Sequence, residues 1–293
     1  MKQRGLSAII IVVVLALTSI LAVYFSGKKQ NPTIEVFNPT SPPNSSPTNT
    51  PTPTSSPTIV PTPIPISQGN NYTVKLLNIF FIPSNVNPIY QPGSLTNQII
   101  PAMKNVSHNS VNYQVVDTQT IVRSTTKKSN GRMDYNALLT EFNICNRINS
   151  NEIDEVWVWV NGGDGAGWEW IISGSINYPG DMNSCGKNLV VMGFDYTRTY
   201  DLALHSLGHR MGFLANARNS GEYSSWKSQC GNVHFPPNGV KDYDYANSSS
   251  VQSSCANKTQ TISCSTWGCS QEGYMKWWFS YVPSSWWRAF LGK

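Results

Sequence analysis

From Asn31 to Ser67 the chain is almost free of charge and is built mainly from Pro, Ser, Thr and Asn. Runs such as Pro51-Thr52-Pro53-Thr54 cannot enter a helix or a sheet interior, because proline lacks the backbone donor and fixes its own φ. The segment is expected to be an extended, polyproline-like stalk, reaching on the order of 100 Å at roughly 3.1 Å per residue. Its Thr and Ser hydroxyls suit O-glycosylation. Folded structure is thereby confined to residues 68–293, enough chain for one good core.

Ahead of the stalk, Leu6 to Phe25 form an apolar, uncharged run of twenty residues. As a helix it is long enough to cross a hydrocarbon core of roughly 30 Å. Lys2 and Arg4 precede it, and its exit, Ala22-Val23-Tyr24-Phe25-Ser26, offers no clean small-x-small cleavage site. The expected organisation is a cytoplasmic tail (1–5), an uncleaved transmembrane signal-anchor (6–25), a disordered stalk (26–67) and an extracytoplasmic domain (68–293). A removed signal peptide is the competing reading. Lys28 and Lys29 beyond the run weaken the charge bias that would set orientation.

The cysteines speak to orientation better. None lies in the first 144 residues, and six follow: Cys145, Cys185, Cys230, Cys255, Cys264 and Cys269. An even set confined to the outer part implies up to three disulfides in an oxidising compartment, with fifteen pairings open. A zinc site on Cys264 and Cys269 is the alternative, but no second close pair completes it. The chain is thus expected to be a single-pass protein of the cell membrane with its C-terminal domain outside. A net charge of +5 at 13% charged residues, with no basic block, argues against a nucleic-acid partner. The ten tryptophans suit either a glycan- or peptide-facing surface or a core of large residues.

Within the domain, strands are expected at Tyr72 to Ile82, Val111 to Val122, Val156 to Val160 and Leu189 to Phe194. Helices are expected at Leu95 to Val106, with Pro101 inside, at Asp134 to Ile148, capped by Asp134, and at Thr199 to Ala217. Gly162 to Gly167 read as a turn or loop. This alternation predicts an α/β fold with a mixed sheet. Residues 218–293 lose periodicity and are expected to be a loop-rich, Cys/Trp-rich cap.

The chemistry concentrates in His205-Ser206-Leu207-Gly208-His209, followed by Arg210-Met211-Gly212. Histidines four apart on a helix share a face and can share one metal. The frame resembles the H-E-x-x-H motif of the zincin metallopeptidases, as does the order strand, short turn, histidine helix. The resemblance covers about twenty residues and implies a zincin-like fold, a zinc cofactor and a peptide substrate. Two positions depart from it. Ser206 stands where the general base would be, and Ala215 where the metzincin branch has its third ligand. His234 is the leading candidate third ligand, since only His108 otherwise remains. Met275 carries little weight as a Met-turn. Without the glutamate, hydrolysis would need another carboxylate, such as Glu222, Asp195 or Asp201. The plain alternative is that His205 and His209 are packed helix residues. A Ser206–His209 hydrolase pair has no G-x-S-x-G elbow to support it.

A second constellation runs through Cys230-Gly231-Asn232-Val233-His234, Asp242-Tyr243-Asp244-Tyr245, Cys264 to Cys269, Lys276-Trp277-Trp278 and Trp286-Trp287. Together with Gly208-His209-Arg210 it is similar to a group of secreted bacterial and fungal proteins of unassigned function, over roughly Val156 to the C-terminus. That similarity implies an extracytoplasmic domain and brings no activity. If the Asp-Tyr-Asp-Tyr stretch is extended, Asp242 and Asp244 share one side. They could bind a substrate or Ca²⁺, act on a glycoside, or simply be solvated. With Arg210 they complete the candidate ligand-binding set. The expected function is a degenerate zincin-like domain that binds a peptide or cell-envelope component. The alternatives are an active metal-dependent hydrolase with a relocated base, and a glycan-binding or carbohydrate-active domain using exposed tryptophans.

Overall fold

The computed structural model describes residues 71–162, 170–172 and 182–291. The expected membrane span and stalk lie outside them, as does most of the glycine-rich loop. Among the described residues no helix is long and apolar enough to cross a membrane.

The domain is a mixed five-stranded sheet covered on both faces. Strand β1 (Tyr72–Phe81) is followed by helix α1 (Pro92–Val106), β2 (Val111–Ile121), the short helices α2 (Tyr135–Glu141) and α3 (Ile144–Asn149), and β3 (Glu155–Val160). Then come β4 (Trp170–Ile172), β5 (Val190–Asp195) and the long helix α4 (Tyr200–Arg218). Sheet order is β2-β1-β3-β5-β4, with the first four strands parallel and β4 antiparallel at the edge. The pairing of β1 with β2 slips by one residue beside Leu76, leaving Val116 as the extra residue.

Alternation along the strands divides the core. Trp157 and Trp159 of β3, with Val190, Met192 and Phe194 of β5, face the layer holding α1 and α4. Val156, Val158 and Val160 face the opposite layer, where Leu138, Leu139, Ile144 and Ile148 cover them. The helix expected from Asp134 to Ile148 is in fact two. Asp134 caps the first by accepting from Asn136 and Ala137 N–H at 3.0 and 3.1 Å. Asn143, at φ 50°, then breaks the run, a conformation Asn tolerates better than most residues. The apolar face continues across the break, so periodicity alone hid it.

The C-terminal part has more helix than its composition promised. Helix α5 (Ser220–Cys230) follows α4 directly, and after a two-stranded ribbon of β6 (Val251–Ser253) and β7 (Gln260–Ile262) come α6 (Gln271–Ser280) and α7 (Ser284–Phe290). These helices join the α4-side core and do not form a separate cap. Trp226, Trp267, Trp277, Trp278, Trp286 and Trp287 are all buried there. With Trp157 and Trp159 in the sheet core, these eight tryptophans are not exposed for stacking on a sugar. The six cysteines form Cys145–Cys185, Cys230–Cys255 and Cys264–Cys269, which fits an oxidising, extracytoplasmic compartment and removes Cys264 and Cys269 as metal ligands.

One ion pair ties these layers together. Arg210 of α4 is fully buried and donates to Glu155 of β3 at 2.7 Å. Trp157 Nε1 donates to the same carboxylate at 2.8 Å. The guanidinium also lies 4.0 Å above the Phe290 ring and donates to the Phe290 carbonyl. Burial penalises its charge, but Glu155 and Tyr113 together raise its pKa above the ordinary value. Expected as a ligand-facing residue, Arg210 is instead sealed in the core. Its partner is Glu155. Removing one member of a buried pair strands the other charge, at a cost of about 3–5 kcal/mol. Arg210→Met should therefore lower unfolding free energy by about that amount in chemical denaturation, and adding Glu155→Gln should restore part of it. Equal losses in the single and double variants would show that the pair itself is not the cause.

Candidate metal centre

Tyr196 to Thr199 turn the chain from β5 into α4, with Tyr196 donating to the Phe81 carbonyl at 3.1 Å to fasten the ends of β5 and β1 together. Leu204, Leu207, Met211 and Ala215 form the helix's apolar stripe. His205 and His209 lie one turn apart beside it. Gly208 leaves room for neighbouring side chains: a Cβ would meet Val233 Cγ1 at 2.5 Å and Met275 Cε at 2.8 Å. Met275 belongs to α6, not to a turn. Gly212 leaves room for the Tyr223 hydroxyl, and the helix runs through it to Arg218.

His234 reaches the same point from a loop built to present it. The Cys230–Cys255 disulfide anchors the end of α5. Gly231 follows at φ 73°, where a Cβ would strike the Phe235 carbonyl oxygen at 2.3 Å. Asn232 Oδ1 then accepts from the N–H groups of His234 and Phe235 at 2.8 and 3.0 Å, an Asx turn. Tyr274 holds this turn from below by donating to the Asn232 carbonyl at 2.8 Å.

The three rings converge through their Nε2 atoms. His209 Nε2 lies 3.0 Å from His205 Nε2 and 3.0 Å from His234 Nε2. One ligand atom from each fits within a 4.8 Å span. Ligands of a tetrahedral zinc at 2.0–2.1 Å would sit about 3.3 Å apart, and the two 3.0 Å steps are near that edge. The outer contacts choose the tautomers. His234 Nδ1 is 2.8 Å from Asp242 Oδ1, and a carboxylate accepts Nδ1–H. His205 Nδ1 is 3.3 Å from the Tyr245 hydroxyl, whose own proton goes to the Val233 carbonyl. Both rings therefore turn Nε2 lone pairs inward. A single Nε2–H on His209 can satisfy only one of them. Converging lone pairs of this kind suit a cation, and a carboxylate behind a ring nitrogen, as Asp242 stands behind His234, is the usual support for metal-ligating histidine.

The other expected residues fall out differently. Asp242 backs His234. Asp244 accepts from Val240 N–H at 3.0 Å and Asn247 Nδ2 at 2.9 Å, which pins the loop. The stretch is a turn and not a strand: Tyr243 stands at φ 59°, so the two carboxylates do not share a side. His108 is elsewhere, bonded to the Ser280 carbonyl at 3.0 Å. Ser206 donates back to the Leu202 carbonyl at 3.2 Å. Glu222 accepts from Trp286 Nε1, Asp195 pairs with Arg198, and Asp201 is held by Thr199 and Gln271. Tyr243, Tyr245, Asn232 and Glu155 were given no role on sequence grounds. Only the Asx-turn potential of Asn232, next but one before His234, was readable in advance.

A cavity of about 260 Å³ opens beside His209, walled by Gly212, Phe213, Asn216, Tyr223 and Val233. A larger one, about 420 Å³, lies at the start of α4 between Tyr200, Asp201 and Glu272 and includes none of the three histidines. Its carboxylates are already engaged, so the smaller cavity is the one next to the chemistry.

Comparison with known protein families, with curated proteins and with solved structures returns no match.

Burial, and after it His209, His234 and Arg198, push the His205 pKa down to about 3. Desolvation and His234 push His209 down to about 4. Both rings are thus neutral near pH 7 and free to offer lone pairs. The same shifts make the metal-free fold acid-sensitive. Below about pH 6.5 the unfolded chain takes up protons that folded His205 refuses, so stability falls as pH falls toward about 4. The slope is up to about 1.4 kcal/mol per pH unit for a buried imidazole, and His209, open to solvent, adds less. Thermal unfolding in EDTA should show this decline between pH 6.5 and 4, shallower in His205→Asn. An identical slope in the variant would place the acid sensitivity elsewhere.

Proposed function

We propose that this chain displays, outside the cell, a metal-binding domain of degenerate zincin type. Its His205–His209–His234 centre binds a peptide or cell-envelope ligand and lacks standard peptidase activity. The observation that carries the reading is the convergence of three Nε2 atoms at 3.0 Å steps, with Asp242 behind one ring and Tyr245 behind another. Zinc is the ion best suited to three neutral imidazoles. When bound, it would supply a Lewis acid for a carbonyl or carboxylate oxygen.

The chain's own groups favour binding over turnover. Ser206, at the base position, cannot accept a proton at neutral pH, and general acid–base help is typically worth about 10²–10⁴-fold. The candidate replacement carboxylates, Glu222, Asp195 and Asp201, are each held by other partners. The cavity beside His209 offers apolar walls from Phe213 and Val233 and a polar edge at Asn216, the size and character of a pocket for one peptide side chain. The anchor and stalk read in residues 6–25 and 26–67 complete the proposal by tethering the domain at the outer face of the cell membrane.

The test is metal content. The purified ectodomain should retain close to one equivalent of zinc, and His205→Ala or His234→Ala should lose it. Asp242→Asn should weaken affinity by about 10–100-fold without abolishing the site. An ectodomain that takes up no zinc under any of these conditions refutes the centre. Ser206→Glu, in a protein shown to hold zinc, should raise cleavage of an unstructured peptide above the wild-type background. Strong peptidase activity in the wild type would overturn the non-hydrolytic reading while leaving the metal in place.

A further inference from the structure

Tyr243 occupies a backbone conformation that its type rarely adopts. Its φ is 59°, in the left-handed region where a bulky residue is an outlier. Two bonds hold it there: its N–H donates to the His234 carbonyl at 2.9 Å, and its carbonyl accepts from Tyr245 N–H at 2.9 Å. Burial does not account for the arrangement, since the residue is 48% exposed. What the conformation achieves is placement of the ring. It lies against His234, with centroids 4.6 Å apart, and is stacked on His205 at 5.6 Å. The phenolic oxygen comes to 3.5 Å from His234 Nε2. Held strain of this kind gathers at ligand clamps and functional sites.

We propose that Tyr243 is the fourth protein ligand of the centre, its phenolate oxygen closing the position that the three imidazoles leave open. The proposal rests on the metal reading above. Other oxygens that touch the rings, on Asp242 and Tyr245, face Nδ1 atoms on their far sides. Among the described contacts it is the Tyr243 hydroxyl that faces an Nε2. Its distance from that nitrogen is close to the roughly 3.3 Å edge of a tetrahedral ligand set. Coordination exchanges the phenolic proton for the metal, and the proton goes to solvent. A divalent ion then faces three neutral donors and one anion. The resting site is closed, and an incoming carbonyl or carboxylate must displace an internal phenolate that sits at the surface on a short loop.

Copper(II) is the probe, because phenolate bound to it gives a visible charge-transfer band that imidazole does not. The metal-free ectodomain, loaded with one equivalent, should show that band. Tyr243→Phe, which keeps the ring and the backbone, should still bind one equivalent and lose the band. Tyr245→Phe should keep it. Resonance Raman excitation of the wild-type band should show tyrosinate ring modes, a reading that does not depend on any variant folding. Stoichiometric copper without the band, or a band that survives in Tyr243→Phe, overturns the proposal and leaves the three-histidine centre standing. Failure of the wild type to bind either copper or zinc overturns both.

Discussion

The Arg210–Glu155 pair fixes the rotation of α4 about its own axis, and the candidate centre depends on that rotation. Residue 210 is driven inward, where the guanidinium meets Glu155 at 2.7 Å in a site closed to water. Successive residues on a helix are turned by about 100°, so a buried 210 leaves 209 at the surface and sets 205 on the same side one turn earlier. A buried charge with one good partner tolerates little misplacement, because any other rotation would leave both ions uncompensated. Apolar packing at Leu204, Leu207 and Met211 also prefers this orientation, but softly. The ion pair makes it specific, and by contact with Phe290 it ties the choice to the last helix of the chain.

The third histidine is positioned by a different kind of constraint. The helix offers two imidazoles on a rigid rod, whereas His234 hangs on a loop whose ordering entropy must be met locally. The Cys230–Cys255 disulfide, the left-handed Gly231 and the Asx turn of Asn232 each remove freedom within four residues of it. Asp242 then fixes the ring itself from eight residues further on. A disulfide in this place does more than stabilise the fold. It makes the geometry of the centre depend on an oxidising compartment, which agrees with where the chain's cysteines already place the domain.

Much of the scaffold was legible in the sequence because it obeys simple periodicities. The run Val156-Trp157-Val158-Trp159-Val160 reads as a strand covered on both faces, and it is one; Trp and Val part to opposite layers as alternation requires. The histidine pair was legible from its four-residue spacing, which needs only a helix to become a shared face. What escaped was non-local or conformational. Glu155 is an ordinary acidic residue until the fold brings Arg210 to it across 55 positions of chain. The break at Asn143 leaves the apolar face continuous, so the pattern showed one helix where there are two. The tryptophans could equally have lined a surface. Their burial follows from α5, α6 and α7, whose apolar residues are clustered and whose periodicity is weak. Nothing in the letters of Asp242-Tyr243-Asp244-Tyr245 announces a left-handed tyrosine, so the extended reading put two carboxylates on one side when the turn sends them apart.

The serine at position 206 and the placing of Tyr243 fit one proposed reading of the centre. A hydrolytic centre needs an open coordination position for water and a base beside it. Here Ser206 turns its hydroxyl back to the Leu202 carbonyl, while the Tyr243 phenol stands 3.5 Å from His234 Nε2. On the proposed reading, a site without a base gains nothing by holding water open, and a phenol that closed the position would cost it no activity. What such a closure would give is a threshold. On the proposed ligation, a ligand would have to compete with a tethered donor at high effective concentration, which selects against weak oxygen ligands and favours those that also fill the cavity walled by Phe213 and Val233. In the proposed centre selectivity would come from the two contacts together, metal and pocket.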